Sequence, residues 1–143
     1  MKVKVSINYN PAKLVKALPR MIDNLIKSSG NSTAEQSRKN IDNEIHNKPL
    51  TQTTIKSRLE GNYPTGKKLP REDSIVPLKW TENLYKGMKG TEKGLSIAPY
   101  GVLHNKGIST GKIKRPKREF IEFKESKKGM KIFNQDLQKN LRK

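Results

Sequence analysis

Apolar residues are scarce in this sequence, and their placement limits what the chain can fold into. Only 31% of the 143 residues are hydrophobic and 6% aromatic. A single domain of this length folds with a narrow margin, and burial against neighbouring copies is a common supplement. The apolar residues recur in periodic clusters, so the chain as a whole does not read as disordered. One domain spanning 1–143 is expected.

The clusters give an order of elements. Val3, Val5 and Ile7 alternate with Lys2, Lys4 and Ser6, the period of a strand with one buried face. Asn10-Pro11 reads as a helix start. Leu14, Leu18, Ile22 and Leu25, with Val15 and Ile26 beside them, form a helical stripe that Pro19 is expected to kink or restart. Residues 28–32, Ser-Ser-Gly-Asn-Ser, read as a break, and Ser32 with Glu35 fits a capping box for a second helix to about Asn47. That helix has a thin stripe of Ala34, Ile41 and Ile45, and His46 near its end reads as a surface residue. Pro49-Leu50-Thr51 opens a short capped helix to Leu59. Residues 60–77 read as a long mobile loop. Trp80, Leu84 and Met88 recur at four-residue spacing behind a Thr81 cap, and all three are expected in the core. Residues 93–98 alternate as a strand or hairpin. Residues 120–123, Phe-Ile-Glu-Phe, suggest a further strand. Met130, Phe133, Leu137 and Leu141 predict an amphipathic C-terminal helix. The order predicts an α+β fold: a small antiparallel β-sheet, amphipathic helices packed on one side, and a C-terminal helix.

Charge narrows the partners. The formal net charge is +18, which points to an anionic partner or to compositional drift, since Lys far exceeds Arg and the cations are spread along the chain. The densest run lies in 106–118, where Lys106, Lys112, Lys114, Arg115, Lys117 and Arg118 occur without an acid. There are no cysteines, so a disulfide framework and thiolate metal sites are excluded. The two histidines, His46 and His104, have no metal-ligand spacing. No run approaches the roughly 18–20 apolar residues of a membrane span, and the N-terminus has no signal-peptide pattern, so a soluble protein made in a cytoplasm, with no membrane partner, is expected. Thr65-Gly66-Lys67-Lys68 is not read as a phosphate loop, because no buried strand precedes it. Glu119, Glu122 and Glu125 recur every three residues beside the basic run, a pattern a metal-dependent nuclease could use. Strand alternation would put Glu119 and Glu122 on opposite faces. No nucleophile–base set or cofactor motif is present, so neither catalysis nor a cofactor is expected.

Four segments between residues 45 and 125 resemble, in order, the virion morphogenesis or tail-completion proteins of Mu-like phages and prophages. They are Pro49-Leu50-Thr51 with Thr54 and Arg58; Leu78 to Met88 with Trp80, Thr81 and Leu84; Tyr100-Gly101-Val102-Leu103-His104-Asn105-Lys106-Gly107; and Arg115-Pro116-Lys117-Arg118-Glu119-Phe120-Ile121. The sequence departs from the family pattern at Glu82, Asn105, Lys106 and Glu119, where Gly, Gln, an aromatic residue and a second proline are usual. The resemblance implies a non-enzymatic virion protein. It would form a ring, commonly a hexamer, at the head-proximal end of the tail, and contact neck or connector proteins and the tail tube or its terminator. It would be made and assembled in the host cytoplasm. It also implies family-motif or core roles for Leu50, Trp80, Leu84, Tyr100, His104, Gly107, Pro116 and Phe120. Tyr100 and His104, four apart, are expected to pack on one helical turn, with His104 buried and hydrogen-bonded. The basic run then docks on an acidic neighbouring ring, faces DNA in the lumen, or is a solvated loop. The reading from charge alone is a small nucleic-acid-binding protein, although no aromatic platform or helix-turn-helix spacing accompanies the charge.

Overall fold

A computed structural model of the chain describes residues 11–43, 49–62, 66, 68–78, 83–110 and 113–142. The expected strand at 2–7, Ile45, His46, Trp80, Thr81 and Lys112 lie outside the described residues.

The fold is organised on one long helix, α1 (Pro11–Asp42), 32 residues in length. The expected break at 28–32 does not occur. Ser28, Ser29 and Gly30 are instead where two other elements cross α1 closely, and only small side chains leave room. On one side lies an antiparallel hairpin, β1 (Lys89–Thr91) and β2 (Gly94–Ser96), paired Lys89 to Ser96 and Thr91 to Gly94. A Cβ on Gly30 would stand 2.8 Å from Gly90 Cα, and the Gly90 amide donates to Asn31 Oδ1 at 2.7 Å. On the other side, the N-terminus of α6 (Lys127–Leu141) rests on α1 at Ser28. Ser28 and Ser126 share a hydroxyl hydrogen bond of 2.6 Å, and Ser126 Oγ also accepts from the Gly129 amide, capping α6. Met21 is near Asn140 and Ser28 near Gly129, so the two helices run antiparallel. Pro19 sits inside α1 on its exposed side, where solvent can reach the Val15 carbonyl that loses its donor.

Shorter elements complete the chain: α2 (Gln52–Glu60), α3 (Arg71–Ser74), α4 (Asn83–Gly87), α5 (Pro99–Lys106), and a second antiparallel hairpin of β3 (Ile108–Thr110) and β4 (Ile113–Arg115). The α+β expectation holds, in a mostly helical form. A two-stranded antiparallel hairpin packs with the long N-terminal helix and the C-terminal helix. α2 starts at Thr51, which accepts from the Thr54 amide, and ends at Gly61 in the left-handed region. Part of the stretch 60–77 is regular or buried among the described residues. It contains α3 and buried Leu69, and the Arg58 guanidinium donates to the Val76 carbonyl at 2.9 Å.

The core is small. Ala34, Ile41, Leu84, Met88 and Phe120 form its buried cluster, with Val76, Leu78, Leu95, Ile97 and Ile121 packed around them. The buried face of the second half of α1 is mostly small or polar: Gly30, Thr33, Ala34, Ser37, Asn40 and Ile41. Its polar members explain why 120–123 is not a strand. Asn40 Nδ2 donates to the Phe120 carbonyl at 3.2 Å, and Thr33 Oγ1 accepts from the Lys124 amide at 3.1 Å. Asn105 Oδ1, from α5, accepts from the amides of both Phe120 and Ile121. The segment's backbone groups are thus bonded to side chains of two helices, and no second strand is needed to satisfy them.

Candidate functional site

Tyr100, His104 and Gly107 lie on α5 or at its end, and Leu84 and Phe120 belong to the buried cluster beside it. Proline at the first position of α5 fits a helix start, because the missing N–H would have had no helical partner. Gly107 ends the helix with φ 78°, and a Cβ there would stand 3.0 Å from the Lys117 amide nitrogen, so glycine meets both a backbone and a space requirement. Gly101 faces the core, where a Cβ would lie 2.4 Å from a Leu84 methyl. Tyr100 and His104 stack edge to face with ring centroids 6.4 Å apart, as the four-residue spacing predicts. His104 is half-buried, and its carbonyl accepts from the Arg118 amide at 2.9 Å.

Three of the four segments meet here, and the first reaches them through Val76. Leu84 of α4 and Phe120 are in one buried cluster, α5 lies on Leu84 through Gly101, and Asn105 holds the backbone at 120–121. Arg58 of α2 reaches the carbonyls of Ser74 and Val76, and Val76 packs on the same cluster. Leu50, half-buried, precedes the Thr51 cap, and Pro116 is exposed. Arg38, not singled out from sequence, donates to the Tyr85 and Met88 carbonyls and ties α1 to the end of α4. No periodic pattern marks Arg38 or Asn105, since their partners are backbone groups distant along the chain.

Part of the basic run is strand. Lys114 and Arg115 belong to β4, whose register sets Lys114 opposite Ser109 and Arg115 opposite Ile108. Lys106 is exposed, and Lys117, also exposed, pairs with Glu119. Arg118 is turned inward, only 8% exposed, with no hydrogen-bond partner on Nε, and burial lowers its pKa below the ordinary arginine value. Glu122 is occupied by hydrogen bonds from Asn40 and Gln36. No cluster of three or more potential metal ligands occurs among the described residues. Among them, no helix is long and apolar enough to cross a membrane.

A second cationic surface, not singled out from sequence, lies between the first half of α1 and the end of α6. It is an open groove of about 490 Å³ lined by Lys13, Lys16, Arg20 and Lys139. No family model matches this chain, and no curated protein or solved structure matches it.

Proposed function

We propose that this chain is a structural subunit of a tailed-phage virion, assembling as a ring at the neck and joining the tail to the head connector. The observation that carries the reading is the convergence of three of the four resembling segments on one core, to which the first is tied through the hydrogen bond of Arg58 to Val76. Here Arg58, Leu84, Gly101, Asn105 and Phe120 are linked through contacts and hydrogen bonds.

Exposed apolar side chains support an assembling subunit. Val15 is 69% exposed, Leu103 50% and Phe123 76%. Monomeric proteins tolerate single exposed apolar residues, but here they accompany a core of seven buried apolar side chains among the described residues. The ring would cover part of this surface, and the exposed cations of the 106–118 region would face an acidic neighbour or lumenal DNA.

Light scattering on purified protein at low and physiological salt tests the assignment. A discrete ring, or a monomer that forms rings once tail tubes are added, is the expected result. A monomer that stays monomeric and ignores tail components would overturn it.

A further inference from the structure

We propose that the groove between the first half of α1 and the end of α6 binds the phosphodiester backbone of nucleic acid without sequence preference. The site does not depend on ring assembly. Lys13, Lys16 and Arg20 are spaced three and four residues apart, so they share one face of α1. The antiparallel course of α6 brings Lys139 to the opposite wall, and Asn24 and Asn140 also line the groove. Cations therefore face one another across a groove in which Asp136 is the lone carboxylate among the lining residues. Lys16, Arg20 and Lys139 are exposed, and none has a carboxylate within ion-pair distance among the described residues.

Like charges on two packed helices repel, and a polyanion lying between them removes the repulsion. Lys16 and Arg20 lie roughly 6 Å apart along the helix axis, enough to contact two consecutive phosphates, which recur about every 3.4 Å along each strand of a duplex. The composition of the groove favours phosphate over an acidic protein. Its one large apolar lining residue, Met21, is already 95% buried against the fold (5% exposed), so a protein partner would find no apolar anchor there. Nucleic-acid interfaces are polar and cationic, as this one is. The lining has no aromatic ring for base stacking, so backbone contact alone is expected.

The test is fluorescence anisotropy of labelled mixed-sequence duplex DNA and duplex RNA, titrated over a range of salt with the full chain. The variant Lys16→Ala/Arg20→Ala/Lys139→Ala is compared with Lys39→Ala/Lys68→Ala/Lys93→Ala, which removes the same charge elsewhere. The groove variant is expected to lower the salt slope by roughly one per cation removed and to weaken binding at least about tenfold at moderate salt. The scattered variant should lose far less. Lys16→Arg/Lys139→Arg should bind like the parent, and thermal melting should show that all variants remain folded. The duplex bound more tightly identifies the source of the backbone. Equal losses in the two alanine variants would reduce the effect to net charge and overturn the proposal. So would absent binding to both duplexes, or binding of polyglutamate as tight as that of DNA, which would reassign the groove to an acidic protein.

Discussion

A methyl group on Gly30 would lie 2.8 Å from both Gly90 Cα and the Gly94 carbonyl oxygen, and these are backbone atoms that cannot swing aside. In an exposed helix interior, Gly→Ala stabilises by about 1 kcal/mol. At position 30 the overpacking term, roughly 1–3 kcal/mol, has the opposite sign and is larger. Gly30→Ala is therefore expected to destabilise by up to about 2 kcal/mol in urea denaturation. Gly87→Ala, where nothing lies within 4 Å of the added Cβ, should be neutral or stabilising. A stabilised Gly30→Ala would mean that α1 and the hairpin do not cross at this point. The same close approach explains why 28–32 resembles a break. Ser, Gly and Asn are turn formers in an isolated segment. Here their small size and hydrogen-bonding side chains admit the hairpin and α6, a tertiary requirement that local propensity does not contain.

At the scale of elements, α1 runs unbroken through Pro19, although an internal proline removes one helix hydrogen bond and crowds the preceding turn. Pro19 is exposed, so its replacement disturbs no core packing. Pro19→Ala is expected to raise stability by roughly 2 kcal/mol and to increase helical signal in circular dichroism. A loss of stability would show that the helix needs proline for its course. Elements with large apolar residues at regular spacing were legible in the sequence. α6 follows from Met130, Phe133, Leu137 and Leu141, α2 from its Thr51 cap, and the β1–β2 hairpin in part from the alternation at 93–98. The second half of α1 was legible only as a thin stripe, because Thr33, Ser37 and Asn40 fill its buried face, two of them hydrogen-bonding the 120–124 backbone. Phe120 to Phe123 looked like a strand because strand periodicity reports an extended backbone. It does not report what that backbone bonds to, which here is side chains. Within the candidate site, the Tyr100–His104 stack followed from helical spacing. The inward turn of Arg118 did not, since six neighbouring cations look alike until the chain folds.

For the whole molecule, two surfaces of different chemistry have to be reconciled. One is the cationic groove between α1 and α6. The other is a set of exposed apolar side chains that includes Leu103 of α5 and Phe123 in the extended segment following the β3–β4 hairpin. With a net charge of +18, self-association has to overcome repulsion between copies. Apolar contact supplies the attraction and salt weakens the repulsion, so assembly should strengthen from low to physiological ionic strength, while nucleic-acid binding weakens over the same range. The opposite salt dependences separate the two surfaces experimentally. Leu103→Glu/Phe123→Glu places charge on side chains 50% and 76% exposed, where folding stability should change by no more than about 0.5–1 kcal/mol. Light scattering at physiological salt should then show a folded monomer that no longer assembles, alone or with tail tubes, but still binds duplex DNA through the α1–α6 groove. Unchanged ring formation by this variant would move the subunit interface away from α5 and the 120–123 segment. The next place to look would be the first half of α1, where Val15 and Ile22 remain exposed on the same helix whose second half buries one face.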